Sequence, residues 1–175
     1  MAQGLVMMLT DGIRLLLFPA LMAFAASSDL FTMTISNRLS LALAGGFLVL
    51  AVVTGMNLHD LAMHLAAGAL VLVFAFGFFS QGWIGGGDAK LAAATALWFG
   101  FDHLFEYLVY ASLFGGVLTL LLIQFRTLPL PGPLARQPWI MRLHEEGGGI
   151  PYGIALAAAA LAVYPKTGWM PAFGI

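Results

Sequence analysis

Cysteine does not occur in the 175 residues, which excludes disulfides, thiol catalysis, Cys-ligated zinc and iron–sulfur clusters. Charge is nearly as scarce: Asp, Glu, Lys and Arg make up 9% of the chain, whereas soluble domains carry roughly a quarter. A net charge of −1 offers no basic face, so no nucleic-acid partner is expected. What the chain does have is apolar surface, with 61% hydrophobic residues. That balance belongs to a membrane protein in contact with lipid. One crossing takes about 20 apolar residues, so the chain has room for about six helices and for no large soluble domain. The expectation is all-α and polytopic, with residues 1–175 forming a single membrane-embedded domain.

Arg14 followed by LLLFPALMAFA has the form of a secretory signal with cleavage after Ala25. Every later segment is equally apolar, so the reading adopted is an uncleaved first span. Polar residues punctuate the sequence into apolar stretches at roughly 13–28, 39–56, 63–80, 89–101, 105–124 and 150–165. All are read as helices, because a bilayer forces the backbone to satisfy its own hydrogen bonds and the alternating strands of a barrel are not seen.

Lys and Arg set the orientation. If every segment crosses, Arg38, Lys90, Arg126, Arg136 and Arg142 share one side, with Arg14 and Lys166 opposite. The first group then faces the cytoplasm and both termini lie outside. Segment 89–101 is short, since about 11 residues between Lys90 and Asp102 span about 17 Å. A re-entrant half-helix there would remove the charge bias; a crossing that starts below the surface keeps it and is preferred. Residues 124–149 hold Pro129, Pro131, Pro133 and Pro138, which prevent a continuous helix. This segment is either a solvated connector or a flexible substrate-docking flap hinged at Gly147–Gly149.

The chemistry centres on GWIGGGDAKL, residues 82–91. On the topology above, Asp88 and Asp29 come to one membrane face. Acidic residues kept in such places usually face a bundle interior or a polar cavity. Two sharing a cavity hold one proton between them, so the ionised member deprotonates a water while the protonated member polarises a peptide carbonyl. Gly85, Gly86 and Gly87 permit close backbone approach and strained turns, and the N-terminus of the following helix favours a carboxylate. Taken singly, Asp88 also reads as an N-cap and Asp29 as a residue at a helix end. Lys90 points to another face than Asp88 and either tunes the pair or anchors at the interface. Glu145 and Glu146 fit a solvated loop better than a substrate contact. His59, His64, His103 and His144 form no i, i+4 pair, so no metal site and no cofactor are expected. Trp83, Trp98, Trp139 and Trp169 read as packing and interface belts.

The stretch Gly85–Leu91, followed by Leu97-Trp98-Phe99-Gly100, resembles the signature of the GxGD membrane aspartic proteases, and among them the type IV prepilin peptidases. It is most similar to the short form associated with tight-adherence (Flp-type) pili. Asp29 stands eight residues before Asn37 of Ile35-Ser36-Asn37, the family's spacing, with Ser36 where the family usually has Pro; a looser turn after Asp29 is expected. Pro151, Tyr152 and Gly153 match the family's Pro-Tyr-Gly at the start of the last helix. The resemblance implies an aspartic endopeptidase of the bacterial inner membrane, its site facing the cytoplasm. Its substrate would be a prepilin or pseudopilin, cut after the Gly that ends a short basic leader. Asp29 and Asp88 would be the catalytic pair, with Asn37, Pro151, Tyr152 and Gly153 supporting them and Tyr152 donating a hydrogen bond into the cavity. Longer family members carry a cysteine-paired methyltransferase module, which is not expected here. The competing expectation is a small proton-coupled transporter or pilus-assembly scaffold using the same two Asp residues.

Overall fold

The computed structural model describes residues 2–170, and the described residues are helical throughout, joined by short turns. The elements are α1 (Ala2–Thr32), α2 (Asn37–Val53), α3 (Leu58–Ser80), α4 (Gly86–Thr127), α5 (Gly132–Ala135), α6 (Pro138–His144) and α7 (Tyr152–Val163), followed by a 3-10 turn at Tyr164–Lys166. Among the described residues three helices are long and apolar enough to cross a membrane: Thr10–Thr32, Leu58–Ser80 and Gly86–Thr127. α2 and the last helix are apolar but shorter.

α4 is not one rod. Gly100 has φ 57° and ψ −168°, a conformation essentially reserved for glycine, and there the chain turns back on itself. The rings of Phe99 and Tyr107 lie 5.2 Å apart, although eight residues of straight helix would rise about 12 Å. Ala92 of the first arm and Leu104, Leu108 and Ala111 of the second line the same groove. The stretches expected at 89–101 and 105–124 are therefore the two arms of a hairpin with a one-residue corner. Asp102 and His103 marked the break in the sequence, but the corner itself is made at Gly100.

The core is built around the first arm. Trp98 is fully buried, with Phe18 at 5.0 Å, Trp169 at 5.3 Å and Phe47 at 6.2 Å between ring centroids. Its indole N–H donates to Leu43 O at 3.0 Å, and its carbonyl accepts from the Trp169 indole at 2.6 Å. Burial of an indole requires such a partner, so Trp98 fixes α2 and the C-terminal turn onto α4. Elsewhere small residues permit close packing: Gly68 of α3 sits directly beneath Leu97, and Ala155, Ala157, Ala159 and Ala160 are buried on α7. Large side chains point outward instead, among them Phe74, Phe105 and Leu120. This inversion suits a lipid surround, where close approach of small residues holds helices together.

The charged residues segregate by bundle end. Arg142 donates to Phe31 O, Lys90 to Asn37, and Arg126 to the 143–149 segment, all beside the ends of α1 and α4. Arg14 and Lys166 lie at the opposite end, the latter paired with Glu106. The 124–149 stretch is packed down in part, with residues 131–138 exposed. α6 buries Ile140 and Leu143, and its Trp139 ring meets Phe31 at 5.3 Å. Arg126 ties the segment down through Leu143 O, Gly148 O and Gly149 O at 2.8–2.9 Å.

Two outcomes test this description. Gly100→Ala places a Cβ 3.0 Å from the His64 ring at a positive φ and is expected to cost about 1–3 kcal/mol, read as a lower unfolding temperature in detergent. Arg126→Gln is expected to raise hydrogen exchange and protease cutting in 128–150 while leaving α1–α3 protected.

Candidate active site

One end of the bundle collects the C-terminus of α1 and the N-termini of α2, α4 and α7. Asp29 lies a turn from the end of α1 and is only 5% exposed. Burial of a carboxylate demands a partner, and it has one: the Gly153 backbone N–H, in the first turn of α7, donates to Asp29 Oδ2 at 2.7 Å. A helix N-terminus supplies unsatisfied N–H groups aligned with a favourable dipole. The first and last long segments of the chain are thereby joined through the acid itself.

Asp88 sits at the third position of α4, with Gly85 as N-cap, and is half-buried. It is thus not the N-cap; it reaches back and accepts a hydrogen bond from the backbone of Gly85, the returning half of a capping box. Asp29 is close enough for its charge to act on Asp88. Two acids distant in sequence thus lie at the same end of the bundle, within electrostatic reach of each other.

The glycine run works through space rather than strain. None of Gly85, Gly86 and Gly87 has a positive φ; in this turn that conformation falls to Gly82. A Cβ at Gly85 would stand 2.8 Å from Asp88 Oδ2, one at Gly86 3.2 Å from the Phe79 ring, and one at Gly87 3.1 Å from Ile35 Cβ. The expected strained turn is therefore replaced by three close contacts. Ile35 also reaches α7, where its Cδ1 lies 2.7 Å from the Cβ position of Gly153. Wedged between Gly87 and Gly153, it sets the separation of α4 and α7. Ile35 was not singled out in the sequence, although it opens the quoted Ile-Ser-Asn motif.

The turn from α1 to α2 carries the one non-glycine positive φ among the described residues, 55° at Met33. It is held by Met33 N–H to Asp29 O at 2.8 Å, by Ser28 Oγ to Thr34 O at 2.9 Å and by the Thr32 and Thr34 hydroxyls at 2.7 Å. Side-chain bonds pin this turn without a proline at position 36. Asn37 is the first residue of α2, and its Oδ1 accepts from Lys90 Nζ at 2.8 Å. Lys90 thus clips α2 to α4 beside the acids. Pro151 is the buried N-cap of α7. Tyr152 does not aim its hydroxyl at the acids: it shares a hydrogen bond with Thr119 Oγ1 at 3.1 Å, and its ring fills the space left by Gly115. The contribution of Tyr152 is to seat α7 on the second arm of α4, which in turn positions the Gly153 N–H.

His64 and His103 line a polar pocket at the far end with Arg14, Asp60 and Asp102, and His144 bonds Leu128 O. Glu145 and Glu146 are exposed beyond α6. Among the described residues none of these hydrogen-bonds to either acid.

The described residues form an all-helical bundle, with three helices long and apolar enough to cross a membrane and two acids brought to one end. Residues 16–120 match the family model described as the type IV leader peptidase family, more than half of the chain, and the chain belongs to that family. Membership makes it a protease of the leader-peptidase type and implies prepilin substrates in general. No curated protein and no solved structure matches the chain. The matched span contains Asp29, Asn37 and Gly85–Lys90 but ends before Pro151–Gly153. The last motif is connected to the others by the Gly153–Asp29 hydrogen bond.

Gly153→Ala would put a Cβ 2.8 Å from Asp29 Oδ2 and 3.0 Å from Asp29 Cβ. The carboxylate must move. Displacements near 1 Å cost about 100-fold in rate, so peptidase turnover is expected to fall by about that factor with the helical circular dichroism unchanged.

Proposed function

We propose that this chain is a membrane aspartic endopeptidase that removes the short N-terminal leader of Flp-type type IV prepilins at the cytoplasmic face, with Asp29 and Asp88 as its catalytic pair. The observation that carries the reading is the meeting of these two acids at the shared end of α1, α4 and α7, in a member of the type IV leader peptidase family. In this reading α1, α2, α3, both arms of α4 and α7 cross the bacterial inner membrane, about six crossings forming one domain over residues 1–175. The end bearing Arg38, Lys90, Arg126, Arg136 and Arg142 faces the cytoplasm, following the retention of positive charge there.

The chemistry needs one proton shared by two carboxylates. The ionised member takes a proton from water as its oxygen attacks the scissile carbonyl carbon, while the protonated member donates to the carbonyl oxygen. Collapse of the tetrahedral intermediate breaks the C–N bond, and the proton gained from water passes to the departing amine. No covalent enzyme intermediate forms. Gly85, Gly86 and Gly87 keep the floor of the site low, Lys90 and Asn37 hold α2 to α4, and Pro151, Tyr152 and Gly153 hold the α7 N-terminus on Asp29. Cleavage alone is proposed: the paired cysteines that accompany methyl transfer in longer relatives do not occur in these residues.

The test is incubation of the purified protein in liposomes with a Flp-type prepilin, reading the new N-terminus by mass spectrometry. Wild type is expected to release the leader after Gly, and Asp29→Asn and Asp88→Asn to leave it intact while remaining folded. Cleavage retained by either variant removes the pair mechanism. The pH profile of kcat should be bell-shaped, falling on the acid side as the base is protonated and on the alkaline side as the shared proton is lost.

A further inference from the structure

α2 and α3 both pack on the first arm of α4 but scarcely on each other. Between them runs a slot of about 470 Å3, lined by Ala44 on α2, Ala69 on α3, and Ala93 and Ala94 on its floor, together with Leu41, Leu72 and Leu97. Its mouth is formed by Asn37 and Lys90, two residues beyond Asp88. The Ser40 hydroxyl, also on the wall, is buried without a hydrogen-bond partner. We propose that this slot is the track in which the apolar helix of the substrate lies while its leader reaches the two acids. The assignment rests on the leader-peptidase reading and adds where that substrate docks.

Three features favour a helix as the occupant. Small residues on three facing helices allow a fourth backbone to approach closely, the packing that joins helices in lipid. One end of the slot is lined by Asn37 and Lys90, and Lys90 follows Asp88 by two residues at the start of α4, so a chain cut at the carboxylates would enter the slot at that end. The Lys90 ammonium, which donates to Asn37 Oδ1 at 2.8 Å, also stands at that end, where an extended segment carrying a scissile bond can offer it backbone carbonyls. A second groove, of about 530 Å3, lies across α4 but is walled by Phe74, Phe78, Leu104 and Leu108. Bulky side chains there suit lipid tails better than a close-packed backbone.

The absence of native cysteine makes the test clean. Single cysteines are placed at Ala44→Cys, Ala69→Cys and, in the second groove, Leu108→Cys, in the Asp88→Asn background. Each is oxidised in liposomes with a Flp-type prepilin bearing one cysteine walked along its apolar helix. Expected are disulfides from Ala44→Cys and Ala69→Cys at every third or fourth substrate position, and none from Leu108→Cys. Separately, in the active enzyme, Ala69→Trp is expected to raise KM for the full prepilin several-fold with kcat held. Crosslinks from Leu108→Cys alone would overturn the slot, as would pairing of two enzyme copies through Ala69→Cys or no crosslink from any position while wild type cleaves. If wild type cleaves no prepilin, the leader-peptidase reading fails on its own, and the slot assignment falls with it.

Discussion

A buried carboxylate in an apolar bundle has to be met by donors, and the rest of this structure is arranged around how Asp29 is met. The donor is the Gly153 backbone N–H, which can reach the acid only if position 153 has no side chain and α7 begins there. Pro151 starts that helix, and Tyr152 anchors it to the second arm of α4 through Gly115 and Thr119. The second arm is available only because Gly100 reverses the chain. One hydrogen bond therefore depends on the N-terminus of α7, on the hairpin and on the glycines that let α4 and α7 close around Ile35.

Packing elsewhere follows from the same surroundings. With lipid outside, burying large apolar groups brings little association between helices, so small residues face inward and large ones outward. A set of large side chains is nevertheless buried, and Trp98 organises it: it fills the centre among Phe18, Phe47 and Tyr164, and its single donor is satisfied by Leu43 O. The hydrophobic ring cluster around it lies toward the end of the bundle opposite the acids. The two ends thus divide their work, one rigid and aromatic, the other polar and open toward the slot and the strap of α6.

Much of this was legible in the residues before any coordinates. The apolar stretches correspond to α1, α2, α3, the two arms of α4 and α7, because segment length and polarity are local properties. The boundaries were less legible. α1 continues to Thr32, beyond the expected 28, because its end is set by the turn at Met33 and its side-chain bonds rather than by composition. Segment 89–101 looked anomalously short because its partner arm begins one residue after Gly100, a corner made from backbone geometry alone. The 124–149 stretch read as connector or flap, since prolines announce where a helix stops but not that Arg126 will gather three carbonyls around itself.

The sequence by itself determined the class of protein, the absence of thiol chemistry and the two acids proposed as the catalytic pair. Composition, spacing and motif survive without a fold, because each is carried by neighbouring residues or by a count. Tertiary structure decided what those residues touch: that Asp88 reaches back to Gly85, that Tyr152 turns away from the acids, and that the triple glycine serves close contact instead of strain. These are contacts between distant parts of the chain, Asp29 and Gly153 being 124 residues apart. Their geometry depends on how whole helices pack, a property that no local run of sequence contains.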